Sequence, residues 1–271
     1  MSRAGVMGQA ARLLGLVLLS GVALQLYFVA RIALMTVLTP GSTTFQRSEM
    51  ARIVREQHRL LWSQDTVAGN AISDNLRRAV VTSEDAGFVD HNGVEWDALQ
   101  SAWRKNSQAK ARADKIAQVQ QQRYERAVAR AQARGRTPPP PPSSNPPTAK
   151  IIGGSTITQQ LAKNLFLSSE RNLLRKGQEF AITFMLEGLL SKDRILTIYL
   201  NNVEWGEGVF GAQAAARHYF GADASRLTPM QAARLAVMLP APKRFEKQPA
   251  SPYLLGRSGV IAARMGGAEI P

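Results

Sequence analysis

Asp74-Asn75-Leu76-Arg77-Arg78-Ala79-Val80-Val81-Thr82-Ser83-Glu84-Asp85-Ala86-Gly87-Phe88-Val89-Asp90-His91-Asn92-Gly93 carries more chemical information than any other run in this 271-residue chain. Asp74 suits a helix N-cap. Beyond it, Leu76, Ala79, Val80 and Ser83 recur at helical spacing along one core-facing stripe. Glu84 falls four residues after Val80 and four before Phe88, so it borders that apolar face. It also falls near the end of the helix, where the dipole disfavours a carboxylate. Both surroundings raise a carboxylate pKa, as a general acid or base working near neutrality requires. An N-cap or a surface acid pair is the alternative that this pattern alone leaves standing.

Outward from this helix, the same periodicity predicts helices over 94–104, 156–166, 171–190, 192–202, 208–219 and 228–239. Thr228 followed by Pro229 suits the start of the last one. Strand-type alternation is scarce, so the expected class is all-α. The segment from about 106 to 149 stands apart. Gln108 to Arg134 is rich in Ala, Gln, Arg and Lys, which favour helix, but has almost no apolar stripe. Thr137 to Thr148 is dominated by proline and reads as polyproline II or disorder. Neither half offers enough apolar surface to offset the entropy of ordering.

Residues 13–30 carry no charge, and Arg31 precedes another largely apolar stretch to Thr39. About 20 apolar residues span a bilayer, so one tilted transmembrane helix fits. A signal peptide has an apolar region of only about 7–15 residues, so an anchor is expected. The chain then divides into a basic tail (1–12), an anchor (13–39) and a domain (43–271), with Thr39-Pro40-Gly41-Ser42 as the break. Basic residues lie on both sides of the span, so their count does not orient it. The absence of cysteine is compatible with either compartment.

The formal net charge is +14. Half of it sits in residues 106–150, where nine Lys/Arg oppose two Asp/Glu. No zinc-finger spacing, RNA-recognition signature or basic heptad accompanies the charge, so nucleic acid is not an expected partner. An anionic bilayer surface or an anionic substrate accounts for it equally well.

Further runs accompany the first. Gly153-Gly154-Ser155-Thr156-Ile157-Thr158-Gln159-Gln160-Leu161-Ala162-Lys163-Asn164 is followed by Arg171-Asn172-Leu173-Leu174-Arg175-Lys176-Gly177-Gln178-Glu179. Then come Tyr199-Leu200-Asn201-Asn202-Val203-Glu204-Trp205-Gly206 and Gly211-Ala212-Gln213-Ala214-Ala215-Ala216. Five motifs in this order, over roughly 50–105 and 150–250, resemble the peptidoglycan glycosyltransferase family, the module shared by bifunctional penicillin-binding proteins. With no penicillin-binding domain following, the expected form is the monofunctional one. The resemblance implies a lysozyme-like α fold behind one membrane helix, a cytoplasmic N-terminus and a periplasmic catalytic domain at the inner membrane. It implies lipid II and a growing lipid-linked glycan chain as substrates, with cell-wall synthesis proteins as candidate partners. It also makes the segment at about 106–149 an insertion between two motifs.

Glycan polymerisation from such a donor needs a base for the attacking hydroxyl and stabilisation for a leaving pyrophosphate. Glu84 is the candidate base, and the resemblance assigns it the acceptor's 4-hydroxyl, giving a β-1,4 bond with inversion. Lys163, Arg171, Arg175 and Lys176 supply positive charge, and Glu179 lies within the same patch. Ser155 and Thr156 open the helix that follows and can offer hydroxyls and N–H groups to an anion. A solvated basic face with an ordinary Arg175–Glu179 helix pair is the plainer alternative. By resemblance Glu179 is the second family glutamate, and Gln160, Lys163, Asn164, Arg171 and Lys176 line the donor side. Asp85, Phe88 and His91 match the first motif and are counted by resemblance among the substrate-binding residues, although Phe88 is expected to pack and His91 to make a structural hydrogen bond or shuttle a proton. Asn201 and Gly206 match a structural motif. Gln178 departs from the Lys that some relatives carry.

No His/Cys/Asp/Glu grouping has fixed metal-ligand spacing, and no nucleotide motif appears. No organic cofactor is expected, while pyrophosphate often recruits Mg²⁺ or Mn²⁺ through its own oxygens. A lytic glycosidase on the same fold would also use two carboxylates, but it has no pyrophosphate to stabilise. A non-catalytic membrane-anchored scaffold would not require both Glu84 and Glu179.

Overall fold

The computed structural model describes residues 3–141, 153–167 and 172–271. It is mainly α, as the periodicity predicts. Two units emerge: residues 1–94 with 156–271, and residues 95–155.

The larger unit begins with α1 (Arg3–Leu34), of which Ala11–Leu34 is long and apolar enough to cross a membrane. Its residues from Leu13 to Tyr27 are mostly exposed, whereas Phe28, Ile32 and the following Met35 are buried in the core. α2 (Thr44–Gln57) follows the Pro40-Gly41 break. α3 (Asp74–Glu84) buries Leu76, Ala79 and Val80 of the stripe read from the sequence, while Ser83 is only partly buried and Val81, outside that stripe, is buried instead. Its N-cap is Ser73, whose Oγ accepts from Leu76 N, and not Asp74. Both residue types cap well, and here Asp74 takes the first helical position, where its charge still meets the positive end of the dipole.

α5 (Ile157–Phe166) and α6 (Leu173–Leu189) pack on one another, and α7 (Lys192–Asn202), buried on nearly every side, packs on α5. α8 (Ala212–Phe220), α9 (Pro229–Met238), α10 (Pro242–Glu246) and α11 (Pro252–Arg264) complete the unit, with α9 against both α3 and α11. Thr43, Thr156 and Thr228 cap α2, α5 and α9 through the same reciprocal device: the threonine accepts from the third helical N–H, and a glutamine there accepts from the threonine N–H. A small sheet, order β1-β3-β2, joins β1 (Ser63–Gln64), β2 (Glu204–Gly206) and β3 (Val209–Phe210). The helices at 44–57, 242–246 and 252–264 were not among those the periodicity predicted.

The second unit differs from expectation. The helix predicted over 94–104 runs on as α4 (Trp96–Ala133), 38 residues long. Only Ala102 is buried along it among the described residues. Its Ala, Gln, Arg and Lys content suffices for helix without a core face, aided by i,i+4 pairs such as Gln121–Glu125 at 2.9 Å. Gly154 lies so close to the start of α4 that a Cβ there would come within 2.9 Å of Ala102 Cβ. The proline-rich expectation falls mostly on residues 142–148, outside the described residues.

Asn201 shows what the Tyr199–Gly206 run does. Its amide donates to Val67 O and Thr197 O and accepts from Val67 N, each at 2.9 Å, and so pins the segment before α3. Gly211 then turns the chain into α8 at φ +83°, where a Cβ would sit 2.6 Å from Asn201 O. Gly211→Ala combines a left-handed backbone with a backbone clash, a penalty of about 1–3 kcal/mol. The expected result is a lowered thermal unfolding midpoint in detergent. An unchanged midpoint would mean that this turn relaxes freely.

Candidate active site

Glu84 ends α3, and Asp85 is its C-cap, with its N–H bonded to Val81 O. The two carboxylates therefore leave the same turn in different directions. Asp85 is buried. Its Oδ1 lies 2.8 Å from His91 Nε2, and its Oδ2 accepts the Ile157 N–H at 2.9 Å. Ile157 is the first residue of α5, so Asp85 sits on the positive end of that helix dipole. His91 Nδ1 accepts the Gly93 N–H at 3.1 Å. That backbone donor requires an unprotonated Nδ1, so Nε2 carries the hydrogen donated to Asp85. Asp85 pushes the His91 pKa up, against partial burial. With both ring nitrogens engaged, His91 is held as a strut.

Thr156 Oγ1 donates to Gly93 O at 2.6 Å, closing the same loop onto α5 from the other side. Phe88 is fully buried beneath it. Lys192 Nζ stands 4.6 Å from the Phe88 ring centroid, donates to His91 O, and pairs with Glu187 at 2.9 Å.

Glu84 faces differently. It is half-buried, and its Oε2 accepts from Gln160 Nε2 at 3.1 Å. Gln160 Oε1 in turn accepts from the hydroxyl of Tyr199, itself buried, at 2.9 Å. Burial raises the Glu84 pKa most, and the neighbouring Asp85 charge adds to it, while the bonds from Gln160 and Ser83 oppose it. Burial, then Glu84 and Asp85, push the Tyr199 pKa well up, so that hydroxyl stays a donor. Glu84 thus keeps Gln160 and the adjacent Ser83 as partners and has a raised affinity for a proton, which is the state a general base needs.

A second cluster lies along α6. Glu179 is buried, with Arg175 Nη1 at 2.9 Å and Lys176 Nζ as its other partner. Two cations face one carboxylate, leaving one positive charge in excess. The Arg175 Nε is buried without a hydrogen-bond partner, and Lys176 Nζ also rests 4.8 Å from the Phe180 ring centroid. Asn172, which caps α6, forms a shallow recess with Leu173, Arg175 and Lys176. A recess edged by cations in excess suits an anion.

Of the residues singled out in sequence, Glu84, Asp85, His91, Thr156 and Gln160 are joined by hydrogen bonds to one another or through Gly93 and Ile157, and Arg175, Lys176 and Glu179 form the α6 cluster. Asn164 is buried and Lys163 exposed, both on α5. Ser155 is exposed and belongs to the second unit. Arg171 lies outside the described residues. Sequence reasoning missed Tyr199 as a site residue, although it opens one of the quoted runs. It also missed Lys192 and Glu187, which no motif marked.

The family model described as Transglycosylase matches residues 48–134 and 146–266. A protein of Cupriavidus metallidurans named biosynthetic peptidoglycan transglycosylase is 46% identical over 269 residues, covering 96% of this chain and 98% of its own. Proteins of the same name from Burkholderia thailandensis and Paraburkholderia xenovorans are 47% and 45% identical. The first covers 92% of this chain and 82% of its own, the second 94% and 90%.

The opposing influences on Glu84 give a pH prediction. A base works only when deprotonated, so the acid limb of any Glu84-dependent rate should lie above the ordinary value of 4.5. Gln160→Ala removes a bond that favours the carboxylate and leaves burial and Asp85 less opposed. The acid limb should then move to higher pH in a rate–pH profile. A limb that stays in place, or moves down, contradicts this account of the Glu84 environment.

Proposed function

The chain belongs to the transglycosylase family and is a peptidoglycan glycosyltransferase of cell-wall synthesis, and we propose that Glu84 is the general base of its reaction. In this reading the donor is lipid II or its growing lipid-linked chain. The acceptor's 4-hydroxyl gives its proton to Glu84 as its oxygen attacks the anomeric carbon of the donor. The anomeric C–O bond breaks, and the electron pair leaves with the polyprenyl diphosphate. One displacement inverts the centre and leaves a β-1,4 bond. What supports Glu84 in this role is its place: half-buried, proton affinity raised, and steadied by Gln160 at 3.1 Å.

The departing diphosphate needs cations already in position. Arg175 and Lys176 carry that part, with Arg171 and Lys163 as further donor-side cations. Glu179 holds Arg175 and Lys176 together, so that neither must be gathered when the anion arrives. Gln160 and Asn164 complete the donor side on α5, with Ser155 and Thr156 at its start. Asp85, His91 and Phe88 hold the loop that follows the base. Both Glu179 oxygens meet cations, so this carboxylate is not disposed to ligate a metal. A Mg²⁺ or Mn²⁺ recruited with the donor would be held by the pyrophosphate's own oxygens. α1 is the anchor in this reading, with its N-terminus cytoplasmic and the catalytic domain periplasmic.

Labelled lipid II, incubated with the detergent-solubilised protein and followed by muramidase digestion, tests the reading. Glu84→Gln should keep the fold and lose about 10²–10⁴ in polymerisation rate. Near-parental polymerisation by that variant would falsify the base assignment. Lys176→Met removes a cation while Arg175 still pairs with Glu179. It should weaken binding of a phosphoglycolipid substrate analogue with little effect on the thermal midpoint. Unweakened binding excludes Lys176 from the pyrophosphate site.

A further inference from the structure

The first two turns of α6 carry Arg175, Lys176 and Glu179, and among the described residues their side-chain hydrogen bonds stay within the helix with one exception. That exception is Gln178. Its Nε2 donates to Gln25 Oε1 at 3.0 Å, and Gln25 Nε2 donates to Gln178 Oε1 at 2.9 Å. The two amides close a ring of two hydrogen bonds between α6 and the apolar span of α1.

Gln25 interrupts a run of exposed apolar side chains, with Leu24 and Leu26 beside it. It precedes Arg31 by six residues, about 9 Å along a helix. The Arg31 guanidinium lies 6.0 Å from the Tyr27 ring centroid, a pairing of residue types that gathers at membrane surfaces. The amide pair therefore falls on the lipid side of that level. Leu173 and Leu174, one turn before Gln178, are 91% and 88% exposed, which suits the same apolar medium. There, no water replaces a lost amide partner, so each glutamine holds the other in place.

We propose that Gln25 and Gln178 are positioning residues: their amide pair fixes the cation-bearing end of α6 at a set depth relative to the bilayer in which the donor's lipid is embedded. The proposal rests on the anchor and donor readings above. The anionic diphosphate of such a donor sits at a depth fixed by its lipid. A cation clamp that drifts along the membrane normal meets it less often, without changing the chemistry at Glu84.

The test uses the full chain in proteoliposomes containing lipid II. Gln25→Leu/Gln178→Leu removes both amides and leaves neither unpaired, so the thermal midpoint should stay near the parent's. The KM for lipid II should rise about fivefold to tenfold, the scale of one interhelical hydrogen-bonded pair in lipid, with kcat little changed. Gln25→Leu alone strands Gln178 and should lower the midpoint more than the double change does. The chain has no cysteine, so Gln25→Cys/Gln178→Cys can be bridged cleanly by a short bismaleimide. Bridging should return a raised KM towards the parent's. A double-leucine variant with the parent's KM, or a cysteine pair that the reagent fails to join, overturns the proposal. A parent that does not consume lipid II overturns the transfer reading and the clasp with it. A joined pair whose KM never differed from the parent's overturns the clasp alone.

Discussion

Buried Asp85 receives N–H donors from two parts of the chain that are far apart in sequence, His91 in the loop after α3 and Ile157 at the start of α5. Removing either donor would leave a buried carboxylate short of a partner, a costly state. The loop is further held by Gly93, whose N–H meets His91 and whose carbonyl meets Thr156. The end of α3 and the beginning of α5 are thereby locked as one piece. Glu84 extends from that piece, and Gln160, one turn into α5, arrives at it with the right reach. Glu84 thus owes its setting to its acidic neighbour Asp85, which is itself buried and engaged on both oxygens.

The α6 cluster is built on a different plan. Arg175, Lys176 and Glu179 belong to successive turns of one helix, so their mutual arrangement is local. Local geometry alone does not say where the cluster stands relative to anything else. Packing of α6 on α5, and the amide pair reaching α1, supply that placement. One half of the site is fixed by long-range hydrogen bonds to a buried charge. The other is prefabricated on a helix and then docked.

Much of the fold was legible because apolar stripes repeat with helical period, as Leu76, Ala79 and Val80 do. Ser73 and Asp74 are both good caps in adjacent positions, and only tertiary context separates them. α2 escaped notice because its buried side chains are few and one of them, Gln46, is polar. α11 buries Leu254, Ser258 and Ile261, but Gly256 and Gly259 between them depress its helix propensity. α4 is the reverse case, a helix sustained by propensity where the apolar pattern stops. Within the site, the burial of Glu84 against its helix face could be read from spacing. Its contact with Gln160 could not, because those residues are 76 apart. Tyr199 looked like one more core aromatic, and only its hydroxyl's partner distinguishes it.

The three threonine-capped helices all carry glutamine, not glutamate, at the third position. Glutamine closes the reciprocal bond without bringing a charge, so the capping pairs themselves contain no titrating group. At α5 the neutral choice has a second effect. The first turn of that helix contains no acidic residue of its own, so its exposed amide dipoles are not neutralised from within. The field at that end remains available to a carboxylate contributed by another element. A glutamate in place of Gln159 would set a like charge on the Thr156 amide, next to the Ile157 amide that Asp85 occupies. The neutrality of one capping residue thus keeps a second carboxylate from crowding the turn on which Glu84 depends.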